Sequence, residues 1–264
     1  MSDSENDNLA LDSVFTEPPR PPSPEPTTAI YSRSQENARS ADWSSIEIRL
    51  VGSHPLWGHH LWNASRAFAT YLDLHPELYA DRSVLELGAG GGLPGIVAAL
   101  NGAASVLLTD YPDASLLDNL QHNVDRNIPE NKRSRVKVEG YTWGHSVESL
   151  RQLNRRTNGS QDRFHLIIMS DLVFNHSQHD ALLKTAEESI VPISDSPTVP
   201  PCVLVFYTHH RPHLAHRDMV FFQKARERGW NCEEILTERF PPMFPEDSGD
   251  EEVRSTVHGW KLTR

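Results

Sequence analysis

Residues 83–94 read Ser83-Val84-Leu85-Glu86-Leu87-Gly88-Ala89-Gly90-Gly91-Gly92-Leu93-Pro94. The first five have the apolar content of a buried strand, and the glycines after them permit a tight turn. Such a turn lets a ligand approach main-chain N–H groups at the start of the next helix, here expected from Pro94 to Ala103. A second apolar strand, Ser105–Thr109, ends at Asp110, where an acidic residue can accept hydrogen bonds from ribose hydroxyls. Strand, glycine turn, helix, strand and acid together are far more specific than glycines alone.

The same alternation runs on either side. Apolar residues at 116, 117, 120 and 124 have helical spacing over 116–127. Val136–Gly140 reads as a third strand, Phe164–Ser170 as a fourth, and 203–208 as a fifth. Helices are expected over 181–191 and 219–228. The runs 231–236 and 257–262 read as an antiparallel pair closing one edge. The expected fold is α/β: a Rossmann-like sheet of seven strands, mostly parallel, with helices on both faces. Three polar or proline-rich insertions, 151–163, 192–201 and 240–253, read as solvated loops. Residues 1–40 read as a disordered acidic tail, because Pro18, Pro19, Pro21, Pro22, Pro24 and Pro26 cannot sustain a hydrogen-bond ladder and little around them is apolar. The folded domain is then 41–264.

The glycine turn departs from the dinucleotide pattern. Three residues beyond Gly90 stands Leu93, followed by Pro94, so the pyrophosphate position is compromised. Glu86, two residues ahead of Gly88, is an unusual neighbour for phosphate and suits a cationic or uncharged ligand; alternatively it satisfies local backbone donors. S-adenosylmethionine, with a sulfonium, an amino group and no phosphate, meets that requirement.

With Asp110, the pattern Glu86-x-Gly88-x-Gly90-x-Gly92 resembles the cofactor site of the seven-strand methyltransferases. Pro55-Leu56-Trp57-Gly58-His59-His60-Leu61-Trp62, Tyr141-Thr142-Trp143-Gly144 and Ser170-Asp171-Leu172-Val173-Phe174 narrow the resemblance to the eukaryotic protein-lysine methyltransferases that carry D-x-x-Y/F after the fourth strand. Trp57–Ala64 and Thr109-Asp110-Tyr111-Pro112-Asp113 look most similar to the fungal members acting on the N-terminus and a neighbouring lysine of translation elongation factor one-alpha. The resemblance spans roughly 46–264, outside the tail and the insertions. It implies cofactor contacts at Trp57, Glu86, Gly88, Ala89, Gly90, Asp110, Trp143 and Ser170. Trp143 would face the adenine and Trp57 would act as a lid, although either can simply pack. It also implies Asp171 and Phe174 at the substrate amine: the carboxylate to orient the ammonium, the ring to offer a π-face to a methylated cation. Asp171 can also cap the next helix. The competing resemblance is to nicotinamide-type amine methyltransferases; a non-catalytic binding module on the same fold is a further alternative.

In Tyr207-Thr208-His209-His210-Arg211-Pro212-His213, Tyr207 and His209 are candidates for the substrate channel. No carboxylate or cysteine spacing completes a metal site there. The 264-residue chain carries 36 acidic against 25 basic residues, a formal charge of -11. That balance opposes non-specific nucleic-acid binding and suits a basic protein partner. The segment from Phe240 to Glu252 holds Glu246, Asp247, Asp250, Glu251 and Glu252 without a lysine or arginine, so it either steers such a partner or is a solvated tip. No apolar run reaches the roughly 18 residues of a membrane span. The acidic start resembles no signal peptide. Cys202 and Cys232 read as reduced thiols. A monomeric cytoplasmic enzyme is expected.

Overall fold

A strand buried on both faces must be apolar along its length, and it takes parallel neighbours when helices cover both sides. Ser83–Leu87 is such a strand, buried at every residue. The protein is seen here as a computed structural model that describes residues 24–34, 43–52, 54–56, 58–159, 161–193 and 199–264. Its strands are β1 Thr27–Ser32, β2 Ser45–Leu50, β3 Ser83–Leu87, β4 Ser105–Asp110, β5 Val136–Gly140, β6 Leu166–Ser170, β7 Cys202–Thr208, β8 Asn231–Arg239 and β9 Thr256–Thr263. Its helices are α1 Asn63–Leu74, α2 Leu93–Leu100, α3 Ala114–Asn127, α4 Glu130–Arg133, α5 Glu148–Asn158, α6 His179–Ser189, α7 Ala215–Asp218, α8 Val220–Glu227 and α9 Glu251–Ser255.

Seven strands form one sheet in the order β5-β4-β3-β6-β7-β9-β8. The first five are parallel, with Val84 opposite Val106 on one side and Leu166 on the other. β9 runs antiparallel to both β7 and β8, so the last two strands form the expected antiparallel pair. The chain leaves β3 toward β4 and β5, then returns to lay β6 on the other side of β3. That reversal opens a crevice at the C-terminal ends of β3 and β6, where sheets of this kind bind ligands. Alternate strand residues feed two cores. Val84, Leu108, Ile168 and Phe206 pack with α1, α2 and α3, whereas Leu85, Leu107, Ile167 and Val205 pack with α5, α6 and α8. Phe68 stacks on Phe206 with centroids 4.2 Å apart; a buried phenylalanine of this kind contributes about 3–5 kcal/mol relative to alanine.

Several expectations need correction. Residues 27–32, assigned to the tail, form β1, which pairs antiparallel with β2 in a separate two-stranded sheet. Ile46, Ile48 and Leu50 of β2 point inward while Glu47 and Arg49 are only half-buried, a period-two pattern that defines the strand. Of the remaining residues expected in the tail, 1–23 and 35–40 lie outside the described residues. Residues 151–163 are not a loop, since α5 occupies most of them. Leu150 and Asn154 face inward, and Asn154 Oδ1 accepts a 2.7 Å bond from Ser105 Oγ. Within 240–253 the chain begins α9, capped by Asp250. Phe164 precedes β6, making only an isolated bridge with Ile190.

The hairpin is fastened by polar groups. Asn119, Asn123 and Asn127, one turn apart on α3, reach β2. Asn123 accepts from Arg49 N (2.8 Å) and donates to Arg49 O (2.8 Å). Asn127 does the same to Glu47, at 2.9 and 2.8 Å. Asn119 donates to Arg49 O at 2.9 Å. A column of amides thus replaces a third strand. On the other side, Arg33 grips Asp73 of α1 through two 2.8 Å contacts.

Candidate active site

The crevice has two flanks. On the β3–β4 flank, Gly88 and Gly90 have φ of 60° and 54°, a region that costs other L-residues about 1–2 kcal/mol. Their surroundings differ. A Cβ on Gly88 would stand 2.7 Å from Leu172 and 3.0 Å from Trp143, while one on Gly90 would meet nothing within 4 Å. Gly88 is therefore a packing point and Gly90 borders open space. Ala89 N donates to Thr109 O at 2.9 Å, joining the turn to β4. Asp110, at the end of β4, accepts from Gly90 N at 2.6 Å and from Tyr111 N at 2.7 Å. Burial raises its pKa, against the lowering by these two bonds. Each carboxylate oxygen keeps a second lone pair for a hydroxyl donor.

Glu86 is placed differently from the expected counter-charge to a ligand. Its side chain is fully buried beneath α2, where Oε2 accepts from Gly95 N at 2.9 Å. It thereby satisfies a first-turn donor of a helix whose own N-cap, Gly92, has no side chain. Oε1 has no hydrogen-bond partner among the described residues. Burial pushes the pKa up to about 8, so near pH 7 the acid is mostly neutral. The local-donor alternative describes this carboxyl best.

Ser170 closes β6 with its Oγ buried and unpartnered among the described residues. Trp143 is half-buried, its ring edge against Gly88, in a turn where Gly144 N donates to Thr185 Oγ1 at 2.9 Å. Trp57 lies outside the described residues.

The β6–β7 flank begins with Asp171, a non-glycine residue at φ 59°. Its N–H donates to Phe206 O at 2.7 Å, Oδ1 accepts from Thr208 N at 3.4 Å, and Oδ2 accepts from His210 Nε2 at 2.8 Å. Asp171 caps no helix, because the next helical turn starts at His176 with Asn175 as its N-cap. Phe174 is 40% exposed and edge-on to His210 at 6.5 Å. Trp62 covers His210 at 4.7 Å. Phe244 lies 6.0 Å from Trp62 and 5.3 Å from His60, completing an aromatic wall. Two hydrogen bonds at 2.8 Å hold the Phe244 segment in place, Asn63 Nδ2 to Pro241 O and Arg254 Nη1 to Phe244 O. Glu246, Asp247, Asp250, Glu251 and Glu252 follow it and are all exposed.

Tyr207 is buried, its hydroxyl 3.3 Å from Met219 Sδ, and therefore does not line a channel. Neither does His209, whose Nδ1 is 2.6 Å from Asp218; the second Asp218 oxygen is 2.6 Å from His176 Nε2. The residues to which the sequence reading assigned no site role are His210, Trp62, Phe244, Asp218 and Leu172. The last bridges the flanks, since it follows Asp171 in the chain and packs on Gly88. A histidine pair directly after an expected strand was the available signal for His210.

Residues 44–228 match the family model described as lysine methyltransferase. The chain is 46% identical to Protein N-terminal and lysine N-methyltransferase EFM7 of Cryptococcus neoformans, over 100% of this chain and 91% of that protein. It is 42% identical to the protein of the same name from Schizosaccharomyces pombe, over 95% and 94%. Among solved structures, a protein of Streptococcus mutans assigned as a SAM-dependent methyltransferase aligns with a TM-score of 0.56 at 13% identity, covering 83% of this chain and 53% of that one. A methyltransferase complexed with SAH aligns with a TM-score of 0.55, also at 13% identity, over 83% and 54%. These structural likenesses concern the fold.

Proposed function

The chain belongs to the lysine methyltransferase family, and from that premise we propose that it methylates protein amines with S-adenosylmethionine. Its substrates are the α-amino terminus and a neighbouring lysine of translation elongation factor one-alpha, and it works as a cytoplasmic monomer. The observation that carries this reading is the junction at Leu172, which sets the glycine turn against the segment holding Asp171 and Phe174.

Three features favour the cofactor. Gly90 borders open space, Asp110 retains acceptor capacity beside it, and Ser170 Oγ lies buried without a partner. Gly88, Ala89 and Gly90 would carry the methionine part, Asp110 the ribose diol, and Trp143 with Ser170 the adenine side. When bound, the cofactor supplies a methyl group on a sulfonium. The protein's part is to hold an amine in line with that methyl at about 3 Å. Asp171 offers charge to the ammonium, and Phe174 with Trp62 offers π-faces that favour a cation. The exposed acidic segment after Phe244 suits a basic chain better than a small neutral amine, which favours a protein over a nicotinamide-type substrate.

Tritiated cofactor, the purified protein and a lysate lacking the endogenous activity form the test. Label should appear on elongation factor one-alpha, and mass spectrometry should place it on the terminal amine and a nearby lysine. Label confined to small molecules would sink the protein-substrate reading. Asp171→Ala should abolish labelling while leaving cofactor affinity within about twofold, because Asp171 makes its polar contacts on the amine flank.

A further inference from the structure

Resting on that reading, we propose that His210, held by Asp171, is the group that takes the proton from the incoming substrate ammonium. An ammonium has no lone pair, so a methyl acceptor must first lose a proton. Asp171 is poorly suited to remove it. Both its oxygens are engaged, one by His210 Nε2 and one by Thr208 N. His210 has the complementary geometry. Its Nε2–H donates to Asp171, which fixes the tautomer and leaves the lone pair on Nδ1. The side chain is 20% exposed, and Trp62 and Phe174 stand around the ring. A base at the mouth of an aromatic-walled recess, one residue pair from the Leu172–Gly88 junction, is where an amine entering from solvent would pass.

The proton accounting is simple. The ammonium N–H bond breaks, its electron pair stays on the substrate nitrogen, and the proton forms a bond to Nδ1. The positive charge moves to the imidazole, opposite the Asp171 carboxylate, and the proton later leaves to water. Burial lowers the His210 pKa, but the charge and hydrogen bond of Asp171 and the charge of Asp218 outweigh it and the opposing Arg211, so the net shift is upward. His209 faces away to Asp218, and His60 stands behind Trp62 at 5.2 Å. An imidazole raised above 6.5 lies nearer an α-amine, about 7.7–8.0, than a lysine, about 10.4. His210 therefore serves the N-terminal amine more effectively than the lysine.

The test uses the whole protein and a synthetic peptide with a free α-amino group and a lysine among its first residues. H210Q keeps an N–H for Asp171 but cannot take up a proton. At pH 7 its kcat on the α-amine should fall by roughly 100-fold or more, the usual contribution of a general base. The deficit should narrow to within about tenfold by pH 9.5, where the amine deprotonates unaided. Calorimetry with S-adenosylmethionine should give matching affinities for the two proteins. In the free protein, an NMR titration should show the His210 pKa falling in D171N. Parallel pH profiles for wild type and H210Q, or a His210 pKa indifferent to D171N, overturn the assignment. A folded, cofactor-binding wild type that methylates neither amine overturns the functional reading first, and this proposal with it.

Discussion

On the β3–β4 flank of the crevice the groups at the rim are mostly main chain: two left-handed glycines, with Asp110 fixing one of their N–H groups. On the β6–β7 flank they are side chains from four separate segments, with Trp62, Asp171, Phe174, His210 and Phe244 meeting only once the sheet has formed. Their carboxyl groups differ as well. Glu86, under the first flank, has one oxygen without a partner, whereas Asp171 engages both of its oxygens. A main-chain flank requires a firm support, and a neutral acid under α2 provides it without adding charge. A side-chain flank needs polar and aromatic groups drawn together from distant parts of the chain.

The support should show its charge state in the stability curve. Glu86 binds its proton more tightly folded than unfolded, its pKa lying near 8 rather than 4.5. The unfolded chain therefore loses that proton first, so stability is full below about pH 4.5 and falls as pH rises toward 8, by as much as about 5 kcal/mol. Glu86→Gln should flatten that slope in urea unfolding at pH 5, 7 and 9. A slope equal to wild type would mean that another group sets it.

On the ligand side of the same flank, Asp110→Ala should weaken S-adenosylmethionine binding by about 1.5–3 kcal/mol, the range for hydrogen bonds to a charged group. Calorimetry measures it directly. An unchanged affinity in a folded variant removes Asp110 from the ribose position.

The glycine turn and the seven-strand sheet with its antiparallel closing pair were legible because each depends on local sequence or strand succession. What the sequence concealed is tertiary. Strand parity continues past β7: Tyr207 packs in the second core, and the next residue of its parity, His209, turns to Asp218. Phe206 and Thr208 share the parity of His210, which meets Asp171. Choosing Tyr207 and His209 selected the wrong face. Helix α5 was missed because only Leu150 and Leu153 mark its inner side amid arginines and polar residues, and its buried anchor is an asparagine. The state of Glu86 depends on desolvation, which no sequence pattern displays.

Asn123 links the hairpin to the main-chain flank, for its Nδ2 also donates to Gly91 O at 3.1 Å. Asn123→Ala should cost about 1–3 kcal/mol of stability, since it leaves buried backbone groups unpaired, and should also weaken cofactor binding. Asn127→Ala, whose bonds go to Glu47 and Asn123, should cost stability alone. Equal cofactor affinities in the two variants would uncouple the hairpin from the turn.

The smallest effect belongs to the other flank. Converting Glu246, Asp247, Asp250, Glu251 and Glu252 to amides should raise KM for a basic protein a few-fold at low salt and leave kcat unchanged. The increase should fade as salt rises, because screening reaches about 8 Å at physiological ionic strength. A KM indifferent to charge and salt would make the segment a plain connector.

The asparagine column on α3 also sets a schedule. Asn123 and Asn127 lie 74 and 80 residues after the backbone they bind. At a ribosomal pace of about 5–20 residues per second, β2 waits about 4–16 s for its amides to be made. During that interval its open edge is free to recruit a strand from another nascent chain. Glu47 and Arg49, charged residues on that strand, then act as guards before the column arrives to close the edge.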